Sequence, residues 1–138
     1  MTDSRKPLDQ CVQVSLDGDI CRIVFMPGVQ VTGDLVEHIF HRRMALMGSD
    51  TQHRLLVTGS RLAGLDYDAS RLAVSPRISA NIAACAVVTV SPALRVIAAP
   101  FVLMFRPRYP IRLFPDEISA RAWLADPPLP ESSPGDPP

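Results

Sequence analysis

The sequence predicts an α/β domain: a mixed β-sheet that opens with a hairpin and is covered by about four helices. Three observations lead there. Two short alternating apolar stretches flank Asp17-Gly18, a strong two-residue turn signal. A run at 33–47 carries its apolar residues at helical spacing. Ala84 to Val90 is then a continuous apolar stretch with four β-branched positions, the pattern of a strand buried on both faces. Strands alternating with helices after a hairpin give the order β-β-α-β-α-β-α-β-α, which implies parallel neighbours and helical crossovers.

The hairpin strands are read as Val12 to Leu16 and Ile20 to Phe25. Centring the turn on Asp17-Gly18 pairs Leu16 with Asp19, Val14 with Cys21 and Val12 with Ile23. Val12, Val14, Leu16, Cys21, Ile23 and Phe25 then share one face, and Cys11 falls on the other beside Val24. Pro27-Gly28 ends the hairpin. Thr32 is a good N-cap for a helix from Gly33 to Met47, and Gly48 closes it. Leu35, Val36, Ile39, Phe40, Met44, Leu46 and Met47 share one half of that helix; Asp34, Glu37, His38, His41 and Arg42 share the other. Arg54 to Thr58 is the next strand. After the loop Gly59 to Gly64, a helix begins near Asp66 or Asp68 and ends or kinks at Pro76. Following the Ala84–Val90 strand, Ser91-Pro92 pairs an N-cap with a proline at the first helical position, opening a helix to about Phe105 with a kink at Pro100. Ile111 to Phe114 is a last strand and Asp116 to Leu124 a last helix.

The 138 residues suffice for one domain with one core. Residues 1–9 are read as a flexible N-terminus, 10–125 as the domain, and 126–138 as a disordered tail. That tail holds six of the 14 prolines, with three acids and no base. The 14 basic and 14 acidic residues balance overall, which argues against nucleic-acid binding through bulk charge. Within 10–125 the balance is mildly basic, 12 arginines against nine acids. Three cysteines without a C-x-x-C imply neither a disulfide framework nor a zinc knuckle, and suit a reducing cytosol. The polar N-terminus lacks an apolar signal core, so a cytoplasmic location is expected. The most apolar stretch, Ile78 to Phe105, is interrupted by Asn81, Pro92, Arg95 and Pro100. It reads as a buried strand and helix rather than an integral membrane span.

Two segments carry a family resemblance. Ala86-Val87-Val88-Thr89-Val90-Ser91-Pro92-Ala93-Leu94-Arg95-Val96-Ile97-Ala98 looks like the central strand and following helix of the small bacterial SpoIIAA-like proteins of the STAS superfamily. Tyr109-Pro110-Ile111-Arg112-Leu113-Phe114-Pro115-Asp116-Glu117, with Ala122-Trp123-Leu124, looks like the closing strand and helix. The hairpin and Leu62-Ala63-Gly64-Leu65-Asp66 fit as well, so the resemblance spans about residues 10 to 125. It implies a STAS fold and a non-enzymatic regulatory module that works by protein–protein contact. In anti-sigma-factor antagonists of this family, a serine at the start of the second helix, in an Asp-Ser-Ser-Gly-like motif, is phosphorylated. Here the matching stretch is Leu65-Asp66-Tyr67-Asp68-Ala69-Ser70, so the motif is absent, and Thr58 stands where an aspartate often ends the third strand. Ser60 and Ser70 are the hydroxyls nearest that region and the phosphorylation candidates.

Other constellations are weighed on the residues themselves. Asp34, His38 and His41 stand at i, i+4 and i+7, a spacing that can hold zinc or nickel, yet they lie on the polar half, where a solvated face accounts for them. No metal and no cofactor is expected. Arg43 falls in the middle of the apolar half of its helix. It either snorkels past its neighbours or meets an acid or a bound anion, because an unpaired buried guanidinium is costly. Arg106, Arg108 and Arg112 gather around Tyr109 and, with Arg43, form a candidate set for anions or anionic lipid headgroups. In the helix from Pro92, Leu94, Ala98, Phe101, Val102 and Phe105 form one stripe. Val96, Leu103 and Met104 lie on the other side and form a candidate surface for a protein partner or a homodimer. No G-x-S-x-G and no phosphate-binding glycine pattern is present, so an enzyme is not expected.

Overall fold

The computed structural model describes residues 7–59, 62–89, 92, 95–96 and 108–126. After a 3-10 turn at Leu8–Gln10, the strands are β1 (Val12–Asp17), β2 (Ile20–Phe25), β3 (Gln30–Val31), β4 (His53–Gly59), β5 (Gly64–Leu65), β6 (Ile82–Val88) and β7 (Ile111–Phe114). The helices are α1 (Gly33–Met47), α2 (Tyr67–Ala73), α3 (Pro76–Ser79) and α4 (Glu117–Ala125). Five strands form the main sheet in the order β1-β2-β4-β6-β7, and β3 pairs with β5 in a separate ribbon. The β1–β2 pair is antiparallel and the others are parallel. This is the mixed sheet that the sequence predicts, with β4 rather than β6 at its centre.

The hairpin register differs from the expected one. Asp17 pairs with Ile20, Leu16 with Cys21 and Val14 with Ile23, so the turn residues are Gly18 and Asp19. Gly18 has φ 65°, the left-handed conformation favoured at the first position of a tight hairpin turn. Advancing the turn by one residue moves each cross-strand partner by two, which leaves every side chain on its predicted face. Val12, Val14, Cys21 and Ile23 are accordingly buried, whereas Leu16, at the hairpin tip, is exposed. Cys11 precedes β1 and packs against the same cluster as Cys21. None of the three cysteines is in a disulfide.

Helix α1 begins and ends as expected: the Thr32 hydroxyl accepts from the Leu35 amide, and Gly48 caps the C-terminus. Pro76 neither ends nor kinks α2, which stops at Ala73. It occupies the first turn of α3, whose N-cap Ser75 accepts from the Ile78 amide. The unforeseen ribbon β3–β5 is fixed at one end by Gln30 Nε2 donating to Asp66 Oδ1 at 2.5 Å.

The sheet divides the core in two. One face carries Cys21, Ile23, Leu55, Cys85 and Val87, covered by Leu35, Val36, Ile39 and Leu46 of α1 and by Ala69 of α2. The other carries Leu56, Ala84, Ala86 and Val88, covered by Ala120 and Leu124 of α4. Small alanines on β6 let α4 approach closely. Asp116 caps α4 by accepting from the Ser119 amide at 2.7 Å. Glu117 receives both Arg22 at 2.7 Å and Arg121 at 2.9 Å, tying α4 to the hairpin. Among the described residues no helix is long and apolar enough to cross a membrane. The tail from 127 onward and most of the helix expected from Pro92 lie outside the described residues.

Candidate functional site

The apolar half of α1 brings Arg43 down onto the sheet. Its exposure is 1%, so it does not snorkel to solvent, and among the described residues no carboxylate meets it. Instead Nη1 donates to Nδ1 of His53 at 2.7 Å, and Nη2 donates to the Ile78 carbonyl at 2.8 Å. His53, the first residue of β4, is wholly buried. Its Nε2 lies 2.7 Å from the carbonyl of Gly48, the residue that closes α1. A carbonyl only accepts, so Nε2 carries the ring proton and Nδ1 offers its lone pair to Arg43. The dyad thereby ties the end of α1 to β4 and α3. Arg43 also lies over the Phe40 ring, 5.5 Å from its centroid.

The electrostatics follow from burial. Desolvation lowers the pKa of His53; the Gly48 carbonyl opposes this, and the Arg43 charge adds to it. Burial pushes the Cys85 thiol up to about 12 and raises Cys21 and the Tyr109 phenol, with Arg43 opposing the rise in each. All of these neighbours are therefore neutral near pH 7. Burial lowers the Arg43 pKa too, but a guanidinium keeps its proton in proteins. The result is one positive charge beneath an apolar layer, without a negative partner among the described residues.

Arg43 is also among the residues lining a chamber of about 180 Å³ between the sheet and the helices. Ile23, Leu55, Val57, Val87 and Ile111 rise into it from the sheet. Val36, Ile39, Phe40, Ala73 and Ile78 line it from the helices, and Leu62 and Leu65 from the loop around β5. Its polar lining is sparse: Arg43, Tyr109, and Thr58 near the C-terminal end of β4. An apolar concavity with a few converging polar groups is the form of a small-molecule site.

The other expected sites come apart. Arg112 is exposed on β7 and stacks over Phe114, 5.4 Å from its centroid, on the sheet face opposite the chamber. Arg108 is exposed, whereas Tyr109 beside it is buried towards Cys85 and Arg43. Arg43, Arg108 and Arg112 therefore do not converge on one anion; Arg106 lies outside the described residues. Ser70 is 3% exposed inside α2, so as folded it presents no hydroxyl to a modifying enzyme, and Ser60 is outside the described residues. Val96 is 70% exposed, and Leu103 and Met104 are outside the described residues. His41 pairs with Glu37 at 3.5 Å, and among the described residues no three His, Cys, Asp or Glu side chains are grouped to hold a metal ion. The sequence reading missed His53, whose only signal is a histidine opening the strand ahead of the apolar run Leu55 to Val57.

The sheet order and helix placement are those of a SpoIIAA-like domain. The structure is similar to the crystal structure of an uncharacterized protein of the DUF3478 family with a SpoIIAA-like fold from Shewanella loihica PV-4. The TM-score is 0.56 at 19% identity, covering 82% of this chain and 91% of that one. No curated protein matches the sequence. The model of a domain of unknown function, DUF7793, matches residues 14–127, and the chain belongs to that family.

Proposed function

We propose that this protein is a STAS-type regulatory module that acts by binding rather than by catalysis, and that its binding element is the chamber beneath α1. The observation that carries this reading is a buried arginine, Arg43, the one cationic residue among the described residues lining a mostly apolar cavity of about 180 Å³. A closed core would fill such a space with side chains, since interiors pack to crystalline density. The SpoIIAA-like fold supports binding in general, and the neutral thiols and phenol around Arg43 support a non-catalytic role. Benzene is the direct probe of the chamber, because a cavity of about 150 Å³ is enough to hold it. Benzene should raise the melting temperature of the wild-type protein, and Ala73→Leu, which grows into the chamber, should abolish that rise. A melting temperature indifferent to benzene would refute the reading.

Exposed Val96 supports a second reading, in which the helix from Pro92 is a contact surface for a protein partner or a second copy. Under it, Val96→Asp, Leu103→Asp or Met104→Asp should abolish association in analytical ultracentrifugation while leaving the fold intact. Unchanged association would refute it. An anionic membrane surface gains less support, because Arg43 is buried and Arg112 lies on the far face of the sheet.

A further inference from the structure

We infer that the chamber takes a small monocarboxylate, its carboxylate on Arg43 and an apolar body of about six to eight carbons against the sheet. This rests on the reading of the chamber as the binding element. Three observations lead to the ligand's chemistry.

The first is the unbalanced charge. His53 and the Ile78 carbonyl take up Nη1 and Nη2, and the Phe40 ring lies 5.5 Å from the guanidinium carbon. His53 Nδ1 and the carbonyl satisfy hydrogen bonds but carry no negative charge. Cys21, Cys85 and Tyr109 are held neutral, so the described residues supply no counter-ion there. An anion that enters removes the cost of an unpaired buried cation.

The second is the count of charges. Arg43 is the one cationic side chain among the described residues lining the chamber. A carboxylate balances it with one negative charge and matches the planar fork of the guanidinium. A phosphate dianion would bring a second charge against an apolar wall, with nothing to offset its desolvation.

The third is size. A cavity of about 180 Å³ slightly exceeds one that holds benzene. It has room for a phenyl ring or a short alkyl chain. The dyad holds the guanidinium in place before the ligand arrives, so little ordering is lost on binding.

Calorimetric titration of the full-length protein at pH 8 and low salt tests this with four probes: benzoate, benzamide, phenyl phosphate and hexadecanoate. Benzoate should bind saturably and at least about tenfold more tightly than its neutral isostere benzamide, the ratio expected for a hydrogen-bonded charge. It should also outcompete phenyl phosphate and hexadecanoate. Arg43→Gln should remove the preference for benzoate over benzamide. The isostere comparison on the wild type stands even where that variant fails to fold. Equal binding of benzoate and benzamide overturns the carboxylate assignment while leaving the chamber reading intact, as does tighter binding of phenyl phosphate. Tighter binding of hexadecanoate overturns the size limit. If benzoate fails to bind although benzene stabilises the protein, the inference falls alone; if benzene also fails, the chamber reading falls with it.

Discussion

Replacing His53 by leucine or by glutamine separates the shape of that residue from its hydrogen bonds. Leucine keeps an apolar side chain at the start of β4 but deletes both bonds of the dyad. The Arg43 Nη1–H then loses its acceptor, at a cost of about 1.5–3 kcal/mol for a bond to a charged group, and the Gly48 carbonyl loses its donor, at about 1 kcal/mol. Some of this is recovered by burying leucine instead of imidazole, so the net loss is about 3 kcal/mol. For a domain of this size, that lowers the melting temperature by roughly 10 °C. Glutamine can present its carbonyl to Arg43 and its amide to Gly48, so His53→Gln should retain most of the stability.

The same pair carries a pH signature with a definite sign. Only neutral His53 can donate from Nε2 to Gly48 while accepting at Nδ1 from Arg43, and its pKa in the fold lies below the ordinary 6.5. As pH falls below 6.5 the unfolded chain takes up the proton first, so folding stability declines; above 6.5 the contribution is fully present. His53→Gln lacks this component. Urea unfolding followed by circular dichroism at pH 8 and pH 5 should show wild type losing more stability than His53→Gln over that interval. Parallel losses in the two proteins, or a His53→Leu variant as stable as wild type, would refute the assignment of donor and acceptor.

Other consequences are local. Thr32→Ala removes the hydroxyl that caps α1 and should cost about 1 kcal/mol in urea unfolding, with Thr32→Ser restoring it. A Cβ at position 64 would meet the Gln30 amide at 2.8 Å, so Gly64→Ala should displace that side chain from Asp66 and cost about 1 kcal/mol. In a Gln30→Ala background the same substitution should be nearly neutral, as a double-mutant cycle would read. With its pKa near 12 and its side chain buried, Cys85 should resist iodoacetamide at pH 8 in the folded protein and react only in denaturant; peptide mass mapping tells the two apart.

The fold was legible because its signals are local and agree with one another. Thr32 and Gly48 each fix one end of α1 through backbone groups a few residues away, and the apolar half of the helix repeats at a period no strand can match. The hairpin register was less legible, because Asp17-Gly18 and Gly18-Asp19 are both acceptable turns. What selects between them is the conformation of Gly18, not the identity of its neighbours. The ribbon β3–β5 left no periodic trace: two residues are too few to alternate, and its pairing joins positions more than thirty residues apart.

The site was legible on one side only. Arg43 stands out because a guanidinium on an apolar helix face is a local contradiction, and such contradictions gather where a protein binds something. His53 contradicts nothing in its own neighbourhood, since a polar residue at the start of a strand is ordinary. Its role arises only when parallel pairing of β4 sets it beneath the end of α1, where the Gly48 carbonyl fixes its tautomer and directs its lone pair to Arg43. The same geometry removes Arg112 from the set. Alternation along β7 turns Ile111 into the chamber and Arg112 to the opposite face, so Arg112 and Arg43 serve different surfaces. A cluster of like charges in a sequence is thus a weak guide to a site in a sheet protein. A single charge out of phase with its own helix is a stronger one, because the fold must either neutralise it or leave that task to a ligand.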